Sequence, residues 1–340
     1  MTVNSDTGES HGFLAVMNRY RVAVFAWLSA TAIVLTLLAR PQYEAGIYYR
    51  RLAAEKIRWK QCADVVLMGD SRTQRNLSPA EMARHLTGYR IFNYAFDSAG
   101  FSAEYLLAGE GVLDPQSPKK ILILGITPLS LTPHAVAKNR FKETISRGAE
   151  AYFDIYLGDV LRLVEPMSAR EACSMIAPSL LKRRYYRECF TDGWIASSQA
   201  PEDHQEALIG YRNLFTKETS VDHRILERLA AQVRLWTSSG IRVFGLRPPS
   251  CTEMAELENE VSGFREAAVV AAFTAAGGVW MPTRQDGYNS YDGAHLRYDS
   301  AQEFSREVAL FVRQSLEAPA AQPAVNRAAH KHPDSPTASL

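Results

Sequence analysis

Asp64-Val65-Val66-Leu67-Met68-Gly69-Asp70-Ser71 opens on an apolar run and closes on a Gly-Asp-Ser turn. Four consecutive apolar residues without alternation imply a strand buried on both faces, as in a parallel sheet covered by helices. Four comparable runs follow, at Tyr89–Asn93, Lys120–Gly125, Ile241–Leu246 and Gly278–Met281. Between them lie amphipathic segments: Pro79–Leu86 with Ser78 as its N-cap, Ala103–Leu113, Asp222–Ser238, Glu253–Ala275, and Ser300–Leu316 capped by Asp299 or Ser300. In Asp222–Ser238 the residues Ile225, Leu226, Leu229, Ala230, Val233 and Leu235 recur at helical spacing. This alternation predicts an α/β fold, a three-layer α/β/α sandwich on a mostly parallel five-stranded sheet. Such sheets form their sites outside the carboxyl ends of the strands. Asp70-Ser71, Asp97–Gly100, Thr127-Pro128, Arg247-Pro248 and Asp292–His295 all fall there.

The chain has 340 residues, enough for one main α/β domain with an insertion, expected over 61–317. Thirty-eight basic residues against thirty-seven acidic give a charge of +1, so no global field favours nucleic acid. Ahead of the domain, Val22–Ala39 is an uncharged, mostly apolar run of 18 residues, just long enough for a bilayer core of about 30 Å. It predicts a transmembrane helix over 22–39, after a short cytoplasmic segment at 1–21. A buried core helix or a signal peptide cleaved after Ala30-Thr31-Ala32 are the alternatives. Arginines and lysines are denser after the span than before it, but a long translocated domain largely escapes the positive-inside rule. The expectation is therefore a single-pass protein of the cell's inner membrane, with its main domain periplasmic or extracellular.

A helical neck is expected over 43–60, a disordered tail over 318–340, and an insertion without a clear strand at about 130–221, rich in Tyr and Arg as in Arg183-Arg-Tyr-Tyr-Arg187. An insertion placed there can wall the site and set substrate choice, or be a solvated helical excursion. The four cysteines, Cys62, Cys173, Cys189 and Cys251, lack zinc or CxxC spacing. Cys173 and Cys189 are either a disulfide, if the domain is exported, or two buried thiols.

Ser71 is a hydroxyl at a strand tip, where a base can take its proton and backbone N–H groups can face the adjacent space. Asp292-Gly293-Ala294-His295 supplies an imidazole with a carboxylate three residues before it, just ahead of the last helix. Together they are the parts of a nucleophilic hydrolase. Arg72 and Arg247 are expected at the rim as substrate-binding groups, since guanidinium can hold a carboxylate or phosphate.

These two motifs resemble those of the SGNH (GDSL-type) hydrolase superfamily, which has Gly-Asp-Ser after the first strand and Asp-x-x-His before the final helix. The resemblance covers about 62–129 and 241–316. It implies Ser71 as nucleophile, His295 as base and Asp292 as its orienting partner, in metal-free ester hydrolysis or acyl transfer with no cofactor. Asn93-Tyr-Ala-Phe-Asp-Ser-Ala-Gly100 stands for the second block, with the backbone N–H of Gly100 or Ser98, beside that of Ser71, as oxyanion donors. Gly125-Ile-Thr-Pro128 stands where the family has Gly-x-Asn-Asp, so the asparagine donor is missing and Thr127 is the candidate to replace it. An unreplaced donor costs about 100- to 1000-fold in rate. Membrane-anchored members similar to this chain act on acyl groups of cell-envelope glycans, which makes a glycan or acyl donor the expected substrate and a membrane acyltransferase a possible partner. Two other readings remain: Asp70, Asp292 and His295 around a divalent metal for phosphoester hydrolysis, or a catalytically weak scaffold of the same fold that binds polysaccharide.

Overall fold

The computed structural model describes residues 20–34, 49–148, 152–158, 184–215 and 220–318. Five strands form the central sheet: β1 (Val65–Gly69), β2 (Ile91–Asn93), β3 (Ile121–Gly125), β6 (Arg242–Leu246) and β7 (Val279–Met281). Every pairing in it is parallel and the order is β2-β1-β3-β6-β7. The order reverses direction at β1, so β1 and its neighbours flank the crevice where such sheets place their sites.

Alternate residues of each strand feed two cores. Val66, Met68, Leu122, Leu124 and Val243 pack under the helices Ala103–Glu110, His223–Ser238 and Glu266–Ala275. Val65, Leu67, Ile121, Ile123, Phe244 and Leu246 pack under the helix Pro79–Ala83 and the C-terminal helix Tyr298–Glu317, through Met82, Phe304, Val308 and Val312. The three-layer sandwich follows from this double burial. Gly69 and Gly125 sit side by side in the β1–β3 register, and a Cβ on either would lie about 2 Å from Thr73 Oγ1. Two glycines thus let Thr73 settle onto the strand tips, and the helix bearing Ser71 starts hard against the sheet.

Several expectations change. A helix begins at Ser71 itself (Ser71–Asn76), capped by Asp70. The segment expected as one helix over 253–275 is two, Thr252–Ser262 and Glu266–Ala275, because Gly263 takes a left-handed conformation (φ 74°). The last helix is preceded by Arg297 without a side-chain cap, and Asp299 and Ser300 lie inside its first turn. The insertion does contain strands: β4 (Arg184–Cys189) and β5 (Ile195–Ala200) form an antiparallel hairpin turning at Gly193 (φ 90°). With Tyr185 and Tyr186 exposed and Ile195, Ala196 and Ser197 buried, it is a half-exposed ribbon rather than a strand buried on both faces.

The neck is a docked helix over 49–58, with Tyr49, Leu52, Ala53, Ala54 and Lys56 buried. Lys56 Nζ donates to the Ala95 carbonyl at 2.7 Å. Further upstream, 20–34 is helical and its apolar side chains are exposed, Phe25 at 73% and Trp27 at 76%. Among the described residues no helix is long and apolar enough to cross a membrane, and residues 35–39 of the expected span lie outside them, as do Cys173 and the tail from 319.

Candidate active site

Ser71 occupies the first helical position after Asp70, where a backbone N–H has no intrahelical acceptor. Asp70 is buried, and its two oxygens accept from Arg72 N–H (3.0 Å) and Thr127 Oγ1 (2.5 Å). Burial pushes its carboxyl above the usual range, against the pull of Arg72 and the Thr127 hydroxyl.

His295 reaches Ser71 from the loop before the last helix. Its Nε2 lies 2.8 Å from Ser71 Oγ and its Nδ1 2.8 Å from Asp292 Oδ2. The three-residue spacing is explained by the other carboxylate oxygen, since Asp292 Oδ1 accepts the backbone N–H groups of Ala294 (3.0 Å) and His295 (2.7 Å). One side chain therefore closes the turn and orients the imidazole. Gly293 has φ 81°, a conformation that favours glycine. Asp292 titrates well below the usual carboxylate range: burial opposes this, but His295 and its hydrogen bonds outweigh it.

The two halves of the site are stapled together by residues that the sequence reading passed over. Asn76, in the serine helix, accepts from Leu296 N–H (3.1 Å) and donates to the Pro249 carbonyl (3.1 Å). Tyr291 stacks on His295 with ring centroids 6.0 Å apart, and its hydroxyl accepts from Arg75 Nη1 (2.8 Å) and Ser197 Oγ (3.1 Å). Arg75 is one turn beyond Ser71 on the same helix face. Ser197 belongs to β5, and Trp194 Nε1 of the same hairpin donates to the Arg75 carbonyl at 2.8 Å. The hairpin thus packs against Arg75 and Tyr291, the residues that brace the serine helix and the His295 ring. The serine four residues ahead of Arg75 was the available signal, legible only once Ser71 is known to start a helix.

Four assignments are corrected. Arg72 and Arg247 are 1% and 2% exposed and do not line the rim. Arg72 makes a bidentate pair with the fully buried Glu258, at 3.0 and 2.6 Å, and Arg247 meets the same carboxylate at 3.3 Å. Position 72 is about 100° around the helix from Ser71, which turns its side chain inward. Thr127 is buried with its hydroxyl on Asp70, so it supports the serine turn instead of replacing the missing asparagine. The Gly100 N–H is taken by the Ala135 carbonyl at 3.1 Å, and a Cβ there would lie 2.5 Å from Val136 N. Gly100 is a close-approach glycine. Ser98, by contrast, is exposed in a left-handed conformation (φ 55°), uncommon for a residue with a side chain, in the turn closed by Ala99 N–H to the Phe96 carbonyl.

Asp70 and Asp292 accept from the donors named above, and among the described residues no group of three His, Cys, Asp or Glu could hold a metal ion. The arrangement is a hydroxyl, an imidazole in line with it and a carboxylate behind the imidazole, groups that can serve as nucleophile, base and orienting partner. Comparison of the chain with protein-family models, with curated proteins and with solved structures finds no match.

Proposed function

We propose that the protein is a serine esterase or O-acyltransferase of the SGNH type, working through an acyl-enzyme on Ser71. The observation that carries this reading is the continuous line Ser71 Oγ, His295 Nε2, His295 Nδ1, Asp292 Oδ2, with both contacts at 2.8 Å. Ser71 Oγ attacks the ester carbonyl carbon as its proton passes to His295 Nε2. The imidazolium is held by Asp292, and the developing oxyanion is met by the N–H groups of Ser71 and Ser98. Collapse of the tetrahedral intermediate expels the alcohol, which takes the proton back from His295. Water or a second alcohol then releases the acyl group by the reverse sequence.

The exposed apolar helix over 20–34 supports attachment to a membrane through this part of the chain; the reading adds a domain outside the cytoplasm, with cell-envelope or extracellular acyl esters as substrates. A binding-only scaffold, acting beside a membrane acyltransferase, is the second reading, favoured by the withdrawal of Thr127 from the site. One experiment separates them: an active-site fluorophosphonate should label the wild-type chain and leave Ser71→Ala unlabelled. Labelling that survives in Ser71→Ala removes Ser71 from the nucleophile's role, and a folded wild-type chain that takes no label favours the scaffold.

A further inference from the structure

The loop after β2 carries Asp97 and Ser98 from the triad to a second feature, an open groove of about 820 Å³. Its far wall is the segment 137–146, with Glu104 across from it. Two of its cations are already matched, Arg140 to Glu143 and Lys142 to Glu104. The carboxylate of Asp97 has a cation beside it, Arg75, but receives no hydrogen bond from it. Its Oδ1 is buried, lies 3.6 Å from Arg75 Nη2 and accepts no hydrogen bond. Its Oδ2 has no donor among the described residues either, while 28% of the side chain is open at the groove. Buried or half-buried carboxylate oxygens are ordinarily hydrogen-bonded, so this one has capacity for a ligand's donor.

The neighbours restrict that donor. His295, Arg187 and Arg140 all act electrostatically on Asp97, although burial outweighs them and pushes its carboxyl up. The guanidinium groups of Arg187, Arg140 and Arg75 would repel an ammonium group. A neutral hydroxyl is accommodated. This inference rests on the ester-cleaving reading of Ser71, under which the groove beside the triad receives the alcohol half of the ester. We propose that Asp97 anchors a free hydroxyl on that alcohol half, so that the groove takes esters of neutral polyhydroxylated alcohols, such as polyols or sugar chains, in preference to simple alkyl esters.

The test compares monoacetin, whose acetyl ester is flanked by free hydroxyls, with ethyl acetate, which has none, using the full chain. In Asp97→Ala the preference for monoacetin, as a ratio of kcat/KM values, should fall by about 10- to 100-fold, the usual effect of losing a charged hydrogen bond. Asp97→Asn keeps the shape and one neutral acceptor, and should retain an intermediate preference. Unchanged ratios in both variants overturn the proposal. A wild-type chain that neither hydrolyses these esters nor takes the fluorophosphonate label defeats the ester-cleaving reading instead. The groove is then judged by binding alone: saturation-transfer NMR signals from monoacetin on Ser71→Ala should vanish when Asp97→Ala is added, and their persistence overturns the assignment.

Discussion

Arg72→Met separates a structural arginine from a substrate-binding one. The guanidinium of Arg72 is 1% exposed, donates twice to Glu258, and packs 5.5 Å from the Tyr211 ring centroid. Removing it leaves Glu258 buried with one long contact, 3.3 Å to Arg247. Breaking a buried pair from one side costs about 3–5 kcal/mol, because the stranded charge keeps its desolvation penalty. For a domain of this size each kcal/mol moves Tm by about 2–4 °C, so Arg72→Met should melt roughly 6–20 °C below the wild type. Adding Glu258→Leu removes the stranded carboxylate and should recover part of the loss, which gives a double-mutant coupling of about 1–3 kcal/mol. The assay is thermal unfolding followed by circular dichroism, with fluorophosphonate labelling rates measured well below the melting range. If Arg72→Met melts like the wild type but shows a raised KM for an anionic ester, the arginine faces substrate and the buried-pair argument is wrong.

Asp292→Asn should lower kcat by about 10³- to 10⁴-fold in ester hydrolysis while leaving the fold intact, since a neutral amide neither stabilises the imidazolium nor fixes its tautomer. A loss below tenfold would remove Asp292 from that role. Lys56 supplies a pH signature, because burial lowers its pKa from 10.5 to about 7. Between these values the unfolded chain holds a proton that the folded chain has released, so stability rises with pH across that window. Below it both states are protonated and the penalty of the buried ammonium is constant. Lys56→Met should therefore flatten the rise in Tm between about pH 6.5 and 9, and Ala95 keeps a hydrogen bond from Gln74 Nε2 at 3.1 Å. Parallel Tm curves for the two proteins would refute this.

The five sheet strands were legible because parallel-sheet burial writes itself as unbroken apolar runs. Ser71, Asp292 and His295 were legible because each lies at the end of such a run or just before a strongly amphipathic helix. Two physical circumstances hid the rest. The helix Ser71–Asn76 reads Ser-Arg-Thr-Gln-Arg-Asn, with no apolar residue to set a period, and its burial comes from hydrogen bonds and ion pairs. Without that helix, Arg72 looked like a rim residue and Arg75 like nothing in particular. The hairpin escaped for a related reason, since Tyr185, Arg187 and Ser197 are half-polar residues whose ordering comes from tertiary partners: Tyr291 for Tyr185 and Ser197, and Tyr49 for Arg187. Glycines were read as turn-formers or oxyanion donors, whereas Gly69, Gly100 and Gly125 are set by what would strike a Cβ, which only the assembled layers reveal.

The docked neck also fixes how the chain enters and leaves the domain. Tyr49 lies between the guanidinium groups of Arg140 and Arg187, 5.3 and 4.5 Å from its ring centroid, and so at the edge of the groove that begins at Asp97. From there the helix runs about 15 Å down to Trp59, which stacks on Phe92 of β2. At the other terminus, Arg242 at the start of β6 holds the Ser315 carbonyl, so the last helix ends beside the amino ends of the strands. The polypeptide thus arrives at the mouth and departs from the base. A fusion partner joined directly ahead of residue 49 would crowd that opening, whereas one joined after 318 would stand clear of it.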